Sequence, residues 1–179
     1  NLALYTNTTG EFNTALGHRA LYSNTDGDSN TALGTHTLAS NTTGDNNVSM
    51  GYFALEKNQT GSKNVSIGTE SMLANTTANE NTAIGYRGLF SNTTGTQNVA
   101  VGAHSLRSNT TGTANTALGY FALYGNTTAD GNTSVGDQSL ASATTGGGNT
   151  AMGNNSLDAC TTGTRNTAYG LASGGAVTT

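Results

Sequence analysis

The chain has 179 residues, of which only 9% are charged, and its formal net charge is −4 with six lysines and arginines in total. So few basic residues argue against nucleic acid and anionic membranes as partners, because both need basic patches that neutralise phosphates. No apolar run approaches the roughly 18 residues of a membrane span, and the single cysteine excludes an intrachain disulfide framework.

A repeat of seventeen residues organises the whole sequence. An asparagine recurs at this spacing from Asn13 to Asn166, and a glycine follows four residues after each one, without insertion or deletion. A fixed short period predicts a repeat architecture in which each copy is one structural unit. The chain therefore divides into a partial repeat at 1–12, nine repeats at 13–165, and a partial repeat with a frayed or linking end at 166–179. Because the chain does not begin with methionine, we interpret it as a piece of a longer protein.

Positions within a repeat are numbered here from 1 to 17, starting at the asparagine, and positions 2–4 predict a short β-strand. Position 2 is Thr or Val, position 3 is Ala or Ser, and position 4 is large and apolar, so positions 2 and 4 share one face. Glycine at position 5 ends the strand because it adopts a positive φ without strain. Constant size at fixed phase predicts a core at positions 4 and 9, formed by Leu16, Leu33, Ile67, Ile84 and Leu118 together with Leu21, Leu38, Leu55, Leu89, Leu106 and Leu123.

The remaining positions predict turns and a second strand. Positions 7–10 indicate a turn, or one helical turn, with position 9 pointing inward. The asparagine usual at position 12 is expected to close this segment in a left-handed conformation, and Thr-Thr-Gly at positions 13–15 predicts a short strand and a turn. The copies also alternate at positions 6 and 8, so either the array grew by duplication of pairs or one coil contains two repeats.

One repeat is too small to fold alone. Two large apolar anchors contribute about 1.5–3 kcal/mol each, whereas ordering the backbone costs about 1–2 kcal/mol for every residue. Copies must therefore stack, which places identical residues about 4.8 Å apart and allows the position 1 asparagines to donate and accept along the stack. Because the core remains thin, we expect chains to associate as a homotrimer or an open filament, with the half-polar face at position 2 as a candidate contact surface.

The strings NTALGYFALYGNTT, NTAIGYRGLFSNTTG and NVAVGAHSLRSNTTG resemble the repeats of phage-type tail-fibre proteins and bacterial fibrous adhesins. They are more loosely similar to the head repeats of trimeric autotransporter adhesins, whose units are shorter. The resemblance covers nearly the whole chain. It implies an all-β, repetitive β-solenoid or β-roll fibre that is homotrimeric, exposed outside a cell or on a virion, and used for attachment.

The sequence therefore predicts a non-enzymatic fibre segment, extracellular, on a cell surface or on a virion, that acts as a spacer or a receptor-presenting shaft. Its expected partners are further copies of itself and a cell-surface glycan or receptor, without nucleic acid and without membrane insertion. The alternative is a solenoid whose threonine array at positions 13 and 14 binds ice or glycan. An enzyme such as a glycan hydrolase ranks third, because a uniform repeat offers no cleft for two carboxylates about 5–9.5 Å apart. No phosphate loop, zinc spacing or nucleophile elbow is present, so no organic cofactor is expected.

An acidic edge is the candidate metal site. Glu11, Asp28 and Asp45 share position 16 in three successive copies. Direct stacking would place their carboxylates about 5 Å apart, where like charges favour a shared cation, and calcium suits carboxylate oxygens in loose geometry. The alternative is a solvated acidic edge that improves solubility. If one coil held two repeats, Asp28 would lie on the opposite edge.

Aromatic side chains at positions 6 and 7 are candidate contacts for a sugar or a partner chain, unless they cover the chain's own core or a trimer seam. The five residues concerned are Tyr52, Phe53, Tyr86, Tyr120 and Phe121.

Other reactive residue types carry weaker signals. His18, His36 and His104 fall at variable positions and are expected to be solvated. Cys160 replaces the asparagine of position 12, either as a small turn residue or as an interchain thiol contact. Asn-x-Ser/Thr triplets, such as the one that begins at Asn41, follow from the repeat itself and have little weight as glycosylation signals.

Overall fold

The computed structural model describes residues 2–179 and shows one parallel β-solenoid of about nine turns. Each turn contributes one strand of three residues at positions 2–4, and strands of consecutive turns pair in parallel, in chain order, within a single sheet. The strands are β1 (Thr14–Leu16), β2 (Thr31–Leu33), β3 (Val48–Met50), β4 (Val65–Ile67), β5 (Thr82–Ile84), β6 (Val99–Val101), β7 (Thr116–Leu118), β8 (Thr133–Val135), β9 (Thr150–Met152) and β10 (Thr167–Tyr169).

One turn of the coil contains one repeat. Thr14 pairs with Thr31 and Leu16 with Leu33, and the same offset of one repeat connects every later pair of strands. The alternation over two repeats therefore does not reflect a coil built from two units. The coil continues through 166–179, where the Leu157 N–H donates to the carbonyl of Ser173.

Positions 3, 8 and 9 form the interior of the coil. The position 9 residues, including Leu89 and Leu106, are completely buried, which confirms that part of the predicted core. The position 4 part is wrong: Leu16, Ile84 and Leu118 are 66%, 38% and 46% exposed, and Leu33 and Ile67 are only partly buried. Successive side chains of a strand point to opposite faces. In these three-residue strands the middle side chain, at position 3, points into the coil, so the side chains at positions 2 and 4 point outward. The small Ala or Ser at position 3 leaves the interior to the leucine of position 9.

The turns agree with the predictions only in part. Left-handed backbone occurs at positions 7, 9 and 17, as at His104, Leu106 and Ala114 with φ of 59°, 50° and 54°, whereas no position 12 asparagine adopts it. Positions 7–10 form a turn with the position 9 side chain inward, which confirms the first of the two alternatives for this segment. Within residues 2–179, no second strand forms at positions 13–15, so that prediction is wrong. The hydrogen bonds explain the missing strand, because N–H groups of adjacent residues converge on one carbonyl: positions 13, 14 and 15 do so in the first turns, and positions 13 and 14 in several later turns. For the turn that begins at Asn13, this acceptor is the carbonyl of Thr42.

Glycine at position 5 is required for both conformation and space. Gly102 has a φ of +128°, and a Cβ atom there would lie 2.5 Å from the carbonyl oxygen of Gly119 in the next turn. The prediction that this glycine ends the strand with a positive φ is therefore confirmed.

Two columns of buried asparagines run along the coil. In the position 1 column, the Nδ2 of Asn47 donates to the Oδ1 of Asn30 at 3.0 Å and to the carbonyl of Gly61 at 2.9 Å. In the position 12 column, the Nδ2 of Asn58 donates to the Oδ1 of Asn41 at 2.8 Å and to the same carbonyl at 2.8 Å. The predicted stacking of position 1 is confirmed, and both columns satisfy polar groups that would otherwise be buried without partners.

Candidate functional site

The first candidate surface is the outer sheet face, which consists of the outward side chains at positions 2 and 4 of β1–β10. It contains Thr or Val at position 2, large apolar residues at position 4, and no charged residue on any of the ten strands. Nothing else in the described part of the chain covers it. A contiguous exposed apolar column of this kind is a candidate interaction site. The more exposed members include Leu16, Ile84, Val99, Leu118, Met152 and Tyr169.

The second candidate surface is the tyrosine row, which consists of Tyr52, Tyr86 and Tyr120 at position 6 of every second turn. These rings are 51%, 44% and 53% exposed. Phe53 and Phe121, the other two predicted contact residues, are only partly buried. Their rings contact Tyr52 and Tyr120 at centroid distances of 4.2 and 4.4 Å with nearly perpendicular planes. The structure therefore brings all five predicted aromatic residues to one side of the coil.

Charged and aromatic side chains stack beside this row, at positions 7 and 10. The Nε of Arg87 donates to the Oε2 of Glu70 at 2.6 Å, and its guanidinium carbon lies 5.1 Å from the centre of the Tyr86 ring. Arg107 lies over Phe90 at 5.3 Å. Sequence reasoning missed this cluster because Glu70 and Arg87 are one whole repeat apart; the shared position 7 was the signal that would have found the pair.

His104 belongs to the same cluster and departs from the expectation of solvation. Its Nδ1 atom is buried and has no hydrogen-bond partner among residues 2–179, and its ring packs 5.0 Å from that of Phe121. Burial lowers the pKa of His104, and the positive charges of Arg107 and Arg87 lower it further. His18 and His36 lie in adjacent turns with ring centres 5.5 Å apart.

The acidic edge is built from stacked position 16 side chains. The Oδ1 of Asp28 accepts from the backbone N–H of Glu11 at 2.7 Å, and the Oδ1 of Asp45 accepts from that of Asp28 at 2.8 Å. Ser62 and Asn79 accept in the same way farther along, so neutral side chains can make the same hydrogen bond. Within residues 2–179, no group of three or more His, Cys, Asp or Glu side chains is arranged to hold a metal ion. Calcium binding at Glu11, Asp28 and Asp45 stays a prediction.

Burial of the side chains excludes Cys160 and the Asn-x-Thr triplets as functional sites. The Sγ of Cys160 is buried in the position 12 column, 3.8 Å from the carbonyl of Gly163, so it is a small interior residue and cannot contact the thiol of another folded chain. Asn41 and Asn92 are completely buried in the same column. Their Asn-x-Thr triplets are therefore inaccessible to glycosylation in the folded coil.

These features define the chain as a parallel β-solenoid repeat protein with one 17-residue repeat in each turn. No family model, curated protein or solved structure matches it. No ligand pocket is present between residues 2 and 179, and the same range contains no helix long and apolar enough to cross a membrane. The candidate sites are thus open surfaces.

Proposed function

We propose that this solenoid is a non-enzymatic structural segment of a fibre, extracellular, on a cell surface or on a virion, that spaces or presents an attachment site. Copies of the chain associate through the outer sheet face. The observation that carries this proposal is the uninterrupted apolar column at position 4, which projects outward on all ten strands. A rod that has a constant pitch and one apolar side is suited to assembly with further copies into a long parallel bundle.

The outer sheet face alone is too small to hold a stable pair of chains together. Ten strands about 4.8 Å apart, each presenting side chains two residues apart, offer roughly 300 Å². A pair of copies would then bury roughly 600 Å² in total, which is below the roughly 1,200 Å² of a stable interface. Three copies around a common axis bury roughly 900 Å² of these faces in total, so the proposed trimer also requires contacts at the flanks of each face.

The test is the mass of the assembly in solution, measured by light scattering. Wild-type protein is expected at three times the chain mass of 18.0 kDa. The double variant Ile84→Asp, Leu118→Asp places two carboxylates on the outer sheet face and is expected at the single-chain mass. Its matched control, Thr94→Asp, Thr111→Asp, alters two exposed residues at position 14, where Asp26 already occurs, and is expected to remain trimeric. Circular dichroism verifies that each variant is folded, and a wild-type protein of 18.0 kDa would contradict the proposal.

A second candidate function is supported by the threonines of position 14. From Thr43 to Thr162 they form an unbroken column, and all of them are exposed. The column is only one residue wide, however, because the hydroxyl groups of position 13 donate to backbone carbonyls, as Thr93 does to Thr110 at 3.0 Å. A freezing-hysteresis assay distinguishes the functions, since ice binding requires hysteresis that the Thr94→Asp, Thr111→Asp variant reduces.

A further inference from the structure

The tyrosine row has a spacing of its own. Tyr52, Tyr86 and Tyr120 lie two turns apart, which corresponds to roughly 10 Å for strands about 4.8 Å apart. The same position in the intervening turns holds the small residues Thr69 and Ala103. Three large rings therefore stand in line, separated by gaps of one turn.

Each tyrosine ring is held by a second ring at a steep angle. Phe53 and Phe121 support Tyr52 and Tyr120 with interplanar angles of 77° and 67°. His104, from the following turn, supports Tyr86 at 83°. Because edge-to-face packing restrains ring orientation, the three rings are oriented before any ligand binds, and this lowers the entropic cost of binding.

The row differs from the outer sheet face in its surroundings. The position 4 column has no charged residue in ten turns, whereas the position 6 column also contains His18, Asp137 and Asn154. A column that has polar or charged residues at both ends and small residues between its rings is poorly suited to continuous burial between copies. Isolated rings at a regular distance instead suit a polymer with the same repeat, which contacts them one after another. The absence of a pocket in residues 2–179 also favours a long, shallow ligand.

We infer that the tyrosine row binds an extended, neutral, β-1,4-linked polysaccharide. In such a chain alternate sugars present the same face, so the repeating unit is a disaccharide, whose length matches the distance between successive tyrosines. The apolar C–H face of every second sugar stacks on one ring, and the sugar between them lies above Thr69 or Ala103. This binding site is separate from the proposed association through the outer sheet face and does not depend on it.

Calorimetric titration with cellohexaose and with chitohexaose tests this assignment. We expect at least one of these hexasaccharides to bind, its disaccharide to bind far more weakly, and the α-1,4-linked maltohexaose not to bind. Loss of one ring in Tyr86→Ala should weaken binding roughly tenfold, which is about the contribution of one aromatic stacking contact. The triple variant Tyr52→Ala, Tyr86→Ala, Tyr120→Ala should lose binding. Tyr5→Ala is the control, because Tyr5 is 63% exposed but lies outside the row.

The assignment is wrong if neither β-linked hexasaccharide binds, if maltohexaose binds equally well, or if the triple variant binds like the wild type. Light scattering on the same samples separates this outcome from failure of the proposed function. A triple variant with reduced assembly mass would show that the row lies between copies, and would overturn the polysaccharide site. A single-chain wild type that still binds the hexasaccharide would instead contradict only the trimeric fibre.

Discussion

The Oδ1 of Asn126 is a buried acceptor without a donor, because Ala143 occupies the next place in the position 12 asparagine column. In the preceding turns each Nδ2 donates to the Oδ1 of the asparagine before it, as Asn126 does to Asn109 at 2.8 Å. The asparagine column ends at Ala143. The Nδ2 of the neighbouring Asn149 replaces one of the two missing hydrogen bonds, because it donates to the carbonyl of Gly146 at 3.3 Å.

We expect Ala143→Asn to stabilise the coil by less than about 1 kcal/mol, since it supplies the missing donor to Asn126 while its own Oδ1 faces only the weak thiol donor of Cys160. The measurement is the free energy of unfolding from denaturant titration. Ala143→Asp is the matched control, because a carboxylate has the same shape but accepts only and would face the Oδ1 of Asn126. It should destabilise the coil, and a stabilising aspartate would show that the missing donor is not the cause.

The two leucine columns should respond differently to truncation. Leu106→Ala removes a completely buried side chain and should cost about 2–5 kcal/mol. Leu118→Ala, at 46% exposure on the outer sheet face, should cost less than about 1 kcal/mol in the single chain but weaken association. Unfolding of dilute single chains measures the first effect, and the concentration dependence of the assembly mass measures the second. Equal losses of single-chain stability would contradict the assignment of the two faces.

Much of the fold was predictable because the copies of the repeat can be compared with one another within the one sequence. The strand at positions 2–4, the glycine of position 5 and the inward leucine of position 9 all follow from residue types that recur in phase. Which face of the strand points inward was not predictable from the same pattern. Ala117 and Leu118 point to opposite faces, and the alternation is equally compatible with either side chain in the interior. Size suggested Leu118, but a narrow coil that already contains Leu123 has space only for a small side chain such as that of Ala117.

The candidate surfaces were predictable to a smaller extent. The tyrosine row was visible from one position of the repeat, whereas the contact between Glu70 and Arg87 requires knowledge that one turn contains one repeat. The left-handed backbone of Leu106 was unpredictable from residue type, because leucine rarely adopts it. Burial of its side chain and stacking of neighbouring turns compensate for that local strain.

The acidic edge supports a prediction about asparagine substitutions. Asp28→Asn, Asp45→Asn should keep the stability of the wild type within about 0.5 kcal/mol, since Asn79 accepts the same backbone hydrogen bond at 2.7 Å. If the edge binds calcium, titration into chelator-treated wild-type protein should release heat that this variant lacks, because the amides remove the charges that attract the ion. Identical heats from the two proteins would contradict a calcium site here.

His104 should make stability depend on pH. The folded coil holds the pKa of His104 below its ordinary value of 6.5, first through burial and then through Arg107 and Arg87. The unfolded chain therefore binds a proton where the folded chain does not, so stability is full above about pH 6.5 and declines as the pH falls towards the folded-state pKa. Denaturant midpoints at about pH 5 and about pH 7.5 measure this decline, because the two values lie on either side of the pKa of an ordinary histidine.

His104→Phe should reduce that decline, since phenylalanine does not titrate. The substitution should be accommodated, because Phe53 and Phe121 hold the same repeat position in other turns. Because every other titratable group is unchanged, the difference between the two proteins isolates His104. An unchanged pH dependence would assign the decline to other groups.

Glycine substitutions should distinguish a position that requires glycine from one that tolerates alanine. Gly102→Ala places a Cβ atom 2.5 Å from the carbonyl oxygen of Gly119, at a φ of +128°. Neither the backbone of the next turn nor that φ can relax without breaking the ladder, so we expect a loss of about 2–4 kcal/mol. Gly131→Ala is the matched control: its φ is +68°, no atom lies within 4 Å of the added Cβ, and Ala114 has the same repeat position with a φ of 54°. It should change the free energy of unfolding by no more than about 1 kcal/mol. Comparable losses from both substitutions would contradict the special requirement for glycine at position 5.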